Sequence, residues 1–174
     1  RALFLAAALM APLPALAQAN AAGSASAAVV APIAVRQIAD LDFGVIASGP
    51  GQAGSVTILP GVAAPRYGGG AQQACSAQGE CPVPHFASFE VSGEAGRSYA
   101  IAAPASVVLS SESGVSLRVD GIGLRSASRP DAGPAGRLDP AGRDRFDLGG
   151  TLRLPAETAP ARYRVSIPVI VTYS

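Results

Sequence analysis

The sequence describes an all-β protein, a single antiparallel β-sandwich, and three features carry that reading. From Arg162 to Tyr173 apolar and mostly polar residues alternate, so Tyr163, Val165, Ile167, Val169, Val171 and Tyr173 share one side of an extended chain. Successive side chains of a strand point to opposite faces, so this segment is a strand with one buried face. Fifteen prolines and twenty glycines are spread through the 174 residues, and beyond residue 17 no stretch keeps a helical period. Strand-like segments recur instead, at roughly the 8–12-residue spacing of sandwiches and barrels. Clean alternation leaves one face wet, the mark of antiparallel rather than α/β sheet.

The first 17 residues stand apart. Arg1 precedes an apolar run, Leu3 to Ala11, and Ala15-Leu16-Ala17 fits the small-x-small cleavage pattern before Gln18. The run is shorter than the roughly 20 apolar residues that span a bilayer. Pro12 and Pro14 weigh against a buried N-terminal helix. Residues 1–17 are therefore expected to be a signal peptide truncated at its start, with no transmembrane segment once it is cleaved. Residues 18–174 are then one exported domain, destined for the periplasm, cell surface or extracellular space. Gln18 to Ala28 is Ala/Ser/Gly/Asn and is expected to be flexible.

Strands are expected near 28–38, 42–47, 54–59, 86–92, 97–102, 105–110, 115–124, 145–154 and 162–173. In the first, Val29, Ala31, Ile33 and Val35 share a face, while Pro32 removes a ladder donor. That pattern fits an edge strand, or a strand that joins a sheet from outside. Near 86–92, Phe89 and Val91 alternate with Ser88, Glu90 and Ser92; near 115–124, Val115, Leu117 and Val119 alternate with Ser116, Arg118 and Asp120. Near 145–154 the pair Gly149-Gly150 interrupts the alternation, which predicts a bulge or sharp bend. Phe43 is expected as a core anchor and Gly44 as a turn that a Cβ would block.

Two segments read as irregular surface loops, 60–84 and 129–144. The first is rich in Gly, Ala and Pro and holds Cys75 and Cys81, the only cysteines. In an oxidising compartment these form a short-loop disulfide. A metal reading with His85 as third ligand lacks a fourth at recognisable spacing.

All 13 basic residues are arginine; without Arg1, 12 arginines balance 12 acids. A neutral, aromatic-poor chain without tryptophan suggests no nucleic acid partner, no anionic membrane and no base-stacking platform.

Catalysis finds little to stand on. His85 is the only histidine, and no Gly-x-Ser-x-Gly elbow accompanies it. Asp40 and Asp42 read as a polar turn rather than a carboxylate pair or calcium site. Asp139, Asp144 and Asp147 lie among Arg137, Arg143 and Arg145, which suggests local ion pairs. Gly68-Gly69-Gly70 lacks the context of a phosphate loop and reads as a flexible turn. No catalytic residue, cofactor or metal site is assigned, and the chain is not expected to be an enzyme.

An ordered set of segments carries a resemblance: Leu41-Asp-Phe-Gly44, Phe89-Glu-Val-Ser-Gly93, Phe146-Asp-Leu-Gly-Gly-Thr-Leu152, then Tyr163 and Val169-Ile-Val-Thr-Tyr173. The chain resembles the bacterial family called domain of unknown function 4402. More distantly it is similar to spore-coat-U proteins and chaperone–usher fimbrial subunits. The resemblance implies an immunoglobulin-like sandwich that is exported and, in some relatives, is a pilus subunit handled by a periplasmic chaperone and an outer-membrane usher. The closely spaced cysteines depart from the wide pair common in fimbrial subunits.

The expected function is therefore that of a surface fibre or coat subunit assembling with copies of itself or related subunits. Val29, Ala31, Ile33 and Val35 would be the donor strand, and Val165, Ile167, Val169, Val171 and Tyr173 the acceptor or chaperone-pairing strand. The alternative is a monomeric secreted binding module that uses loops 60–84 and 129–144.

Overall fold

Arg143–Leu154, the longest strand, is the spine around which the sheets are arranged. The computed structural model describes residues 24–74 and 82–174. The signal peptide assigned to 1–17 and the disulfide assigned to Cys75 and Cys81 lie outside the described residues.

Among the described residues there is no helix, and the strands in chain order are β1 Ala34–Ala39, β2 Ile46–Ser48, β3 Gly54–Ile58, β4 Arg66–Gly69, β5 Ala71–Gln73 and β6 Ala87–Ser92. There follow β7 Ser98–Ala102, β8 Ser106–Ser111, β9 Ser116–Ser126, β10 Ala135–Arg137, β11 Arg143–Leu154, β12 Tyr163–Arg164 and β13 Ile170–Tyr173. Every pairing is antiparallel.

Along one edge β11 pairs first with β6, through Arg143 to Leu148, and then with β3, through Gly150 to Leu154. Along its other edge it pairs with β9. The result is an eight-stranded sheet in the order β1-β6-β11-β9-β8-β12, with β3 and β4 attached beside the second half of β11. A three-stranded sheet, β10-β7-β13, and a two-stranded sheet, β2-β5, complete the fold.

Alternation explains which side is dry. Phe146, Leu148, Leu152 and Leu154 of β11 are buried, while Arg145 and Arg153 between them are exposed. The predicted irregularity at Gly149-Gly150 is present, but the extra residue belongs to the partner strand. From Gly149 to Thr151 β11 advances two positions while β9 advances three, from Gly123 to Asp120. Gly121 sits in that interval with φ +61°, the left-handed geometry in which a glycine supplies a bulge. The bulge reverses the parity of β9: Leu117 and Val119 point inward before it, Ile122 and Leu124 after it.

The core falls into two clusters. One gathers Val56, Ile58, Leu117, Val119 and Leu152, closed by Phe43 and Ala71 from outside the large sheet. The other gathers Val91 and Phe146 of the large sheet against Tyr99 and Ile101 of β7, with Leu138 beside them. The Phe89 and Phe146 rings stack there at 4.8 Å and 11°. Sheet thus packs on sheet, and the fold is all-β, antiparallel and sandwich-like. Phe43 is the buried anchor expected, and Gly44 (φ +73°) leaves a Cβ only 2.9 Å from the Pro84 ring.

Four segments depart from expectation. The strand placed at 162–173 divides into β12, which pairs with β8, and β13, which pairs with β7 in the other sheet. Pro168 lies in the gap and has no N–H for a ladder. The segment placed at 28–38 becomes a strand only at Ala34. Segment 60–84 is not all loop: β4 and β5 lie in it, and Gly68 and Gly69 pair with Ser55 and Gly54 rather than forming a flexible turn. Segment 129–144 likewise contributes β10 and the buried Leu138, 2% exposed.

Candidate functional site at two open strand edges

Among the strands that end their sheets are β1 and β13. β1 pairs only with β6, and β13 only with β7. Among the described residues nothing ladders with their outer edges, which leaves rows of backbone donors and acceptors of the kind that accept another strand. The second core cluster lies between these strands, so both edges flank one apolar interior.

The N-terminal segment enters here. Residues 24–32 are exposed and form no strand, and Val29 is 97% exposed. Ile33 is half-buried and packs on the second cluster with Val169, Val171 and Tyr173. The Tyr173 hydroxyl donates to the Ala31 carbonyl at 2.7 Å and accepts from the Glu94 N–H at 2.7 Å. The Arg97 guanidinium lies 5.2 Å from the centre of the Tyr173 ring, within cation–π range. Gly93 makes room for this tyrosine: a Cβ there would overlap the Tyr173 hydroxyl.

The structure therefore joins part of each assigned set. Ile33 packs on the same core cluster as Val169, Val171 and Tyr173, and Ala31 is tied to Tyr173 by its carbonyl. Val35 lies in β1 opposite Val91 of the same chain, 41% exposed. Val171 and Tyr173 sit in β13 opposite Ile101 and Tyr99. Val165 and Ile167 lie outside any strand, with Val165 40% exposed. No backbone hydrogen bond joins 24–33 to β13 among the described residues. The segment rests beside the open edge without laddering to it.

Beneath the site is a polar core contact that periodicity did not single out. Tyr99 is 0% exposed, and its hydroxyl donates to Asp144 Oδ2 at 2.8 Å. The Ser128 hydroxyl donates to the same oxygen. Burial, and then the Asp144 carboxylate, push the Tyr99 hydroxyl pKa well above its ordinary range. A hydroxyl so held is a structural donor, not an acid. The one signal for it in the sequence is Tyr99 itself, the only aromatic of its strand, in register with Asp144 only through the fold.

The expected ion pairs among the 137–147 residues are replaced by hydrogen bonds. Asp139 accepts from the N–H groups of Ala141 and Arg143, and Asp147 from the Ser88 hydroxyl. Asp42 Oδ1 accepts from the Gly44 N–H, and Asp40 from the Gln37 amide. His85 is exposed and meets Asp42 only through the backbone, in an isolated bridge. None of these carboxylates is arranged as an acid–base pair, and among the described residues no three His, Cys, Asp or Glu side chains cluster as a metal site.

A family model described as domain of unknown function, DUF4402, matches residues 33–173. The chain belongs to that family. The match begins at Ile33 and ends at Tyr173, two residues that pack on the second core cluster. No curated protein and no solved structure matches the chain.

Proposed function

We propose that this DUF4402 chain is an exported structural subunit of a surface fibre or coat, assembling by β-strand complementation between copies or related subunits. The observation that carries the proposal is the exposed segment 24–32, tied through the Ala31 carbonyl to Tyr173 of β13, a strand whose outer edge is unpaired among the described residues. In the assembled state the segment of one copy pairs along β13 of the next, burying Val29 and exchanging its solvated backbone for a ladder. A valine side chain taken from water contributes roughly 1.5–3 kcal/mol, and each new backbone hydrogen bond about 1 kcal/mol net. A chaperone or usher strand would use the same edge during export. The scheme needs no catalytic group.

Val29→Asp tests it. At 97% exposure the residue contributes nothing to packing in the monomer, so the variant keeps its fold. It is expected to stay monomeric by sedimentation where the unaltered chain forms polymers. Polymers of normal length from the variant, or an unaltered chain that stays monomeric at high concentration, refute the proposal.

A second reading, a monomeric binding module, draws on a groove of about 670 Å³ at the 129–144 segment, lined by Gly96, Ser128, Arg129, Arg137, Asp139 and Pro140. A stable monomer that binds a ligand through this groove would favour it.

A further inference from the structure

Nearly balanced overall, at a net +1, the charge of this chain is not balanced in space. The face of the eight-stranded sheet turned away from both core clusters carries Arg143, Arg145 and Arg153 on β11 and Arg118 and Arg125 on β9. Arg36 on β1, Arg66 on β4 and Arg164 on β12 join them, by register with the outward residues Glu90, Thr57 and Ser110. The same face holds three carboxylates, Glu90, Asp120 and Asp147. Eight arginines against three acids leave a surplus of five positive charges on one side of the molecule.

Little of that surplus is neutralised locally. Arg36 pairs with Glu90 at 3.2 Å, and Arg118 and Arg153 share Asp120 at 2.5 and 3.7 Å. Asp147 is engaged by the Ser88 hydroxyl. Arg66, Arg125, Arg143, Arg145 and Arg164 have no carboxylate within ion-pair distance among the described residues. Arg118 and Arg153 stand directly opposite each other across β9 and β11, an arrangement of like charges that costs stability. Between the arginines the outward positions are short: Ser55 and Thr57 on β3, Ser88 and Ser92 on β6, Ser106 and Ser110 on β8. All eight arginines are exposed, Arg118 donating to the Ser106 hydroxyl at 2.9 Å and Arg125 lying against Gly61.

We propose that this face binds an acidic polysaccharide, laid across the strands and held by arginine forks on its carboxylate or sulfate groups. Guanidinium is suited to this task because its planar donors pair two at a time with such oxyanions. Strands lie about 4.8 Å apart and rise about 3.3 Å per residue. From β1 to β12 the face is therefore about 24 Å across, and Arg143 to Arg153 spans about 33 Å, a field suited to an extended polymer. Two other polyanions fit less well. Among the described residues the face bears no aromatic residue on which bases stack, and its large exposed apolar side chains, Ile38 on β1 and Val108 on β8, lie four strands apart, too scattered to enter a bilayer interface. The inference is independent of strand complementation, since it concerns the sheet face rather than its edges.

The test measures binding of the full chain to fluorescein-labelled heparin and to labelled polygalacturonate at low salt, with neutral dextran as control. Both acidic polymers are expected to bind, with affinity falling steeply as salt rises. Arg143→Gln with Arg145→Gln is expected to weaken binding about tenfold, as is Arg66→Gln with Arg164→Gln, through loss of counterion release. Arg129→Gln with Arg137→Gln removes the same charge from the 129–144 groove, away from this face, and is expected to change affinity less than about twofold. Absence of binding by the unaltered chain, or equal losses in all three variants, overturns the proposal. So does tighter binding to duplex DNA or to phosphatidylglycerol vesicles than to either polysaccharide.

Discussion

Replacing Tyr99 by phenylalanine removes one oxygen atom from the core and should reshape the alkaline limb of stability. At neutral pH the Tyr99 hydroxyl donates to Asp144, a buried donor bonded to an ionised acceptor. Such a bond contributes about 1.5–3 kcal/mol, so Tyr99→Phe should lose about 2 kcal/mol at pH 7. The pKa of Tyr99 is raised in the folded chain, by burial first and Asp144 second. In the unfolded chain tyrosine ionises near its ordinary value of about 10. A group whose folded pKa is raised gives stability that is intact below the unfolded pKa and lost as pH climbs past it. By pH 11.5 ionisation of the unfolded phenol offsets about 2 kcal/mol, and the two proteins should then be equally stable. The absence of lysine keeps this window clear of the groups that usually crowd it. Urea unfolding from pH 7 to pH 11.5, with tyrosinate absorbance at 295 nm recorded in parallel, reads the convergence. A stability difference constant across that range would refute the reasoning, because it would mean that Tyr99 ionises alike in both states.

Other perturbations address the site and its frame. Tyr173→Phe removes the hydrogen bonds to the Ala31 carbonyl and the Glu94 N–H. It should cost about 1–2 kcal/mol and speed amide exchange at Glu94 several-fold, with β6 protected as before, as hydrogen-exchange measurements would show. Gly93→Ala should displace the same tyrosine from the opposite side and give the same exchange pattern. Leu138→Ala should lose about 2–5 kcal/mol in denaturant unfolding, since Leu138 is 2% exposed and closes the second cluster; a loss below 1 kcal/mol would mean that the 129–144 segment is not anchored.

The fold class was legible because alternation is a local property. In β6, β7, β11 and the first half of β9, at Leu117 and Val119, the inward residues are those that the period-two pattern marks, and strand bounds fall within a few residues of those expected. What alternation does not encode is the identity of the partner. Tyr163 and Tyr173 continue one unbroken pattern, yet Tyr163 belongs to the sheet of β8 and Tyr173 to that of β7. Pro168, visible in the sequence, marks the crossing, because a strand cannot carry a missing donor through two ladders. The short strands β4 and β5 were hidden for a different reason. Their glycines carry no side chain to alternate, and Tyr67 and Ala71 alone report a buried side.

The site divides along the same line. That the first and last strands would matter was readable from apolar residues at both ends of the chain. That Ile33 and Val171 would pack on one core cluster was not, since that depends on β6 and β7, which carry the cluster, lying in different sheets. Charge offers the sharper case. Summed over residues 18–174, 12 arginines cancel 12 acids and imply no charged partner; sorted by the parity of the strands that carry them, they do not cancel. The bulge at Gly121 is what decides that sorting for β9. Arg118 lies before it at an even position and Arg125 after it at an odd one, and both face outward because one residue is inserted between them. Without that residue Arg125 would point into the core and Leu124 into water, at a cost no single strand of this length sustains.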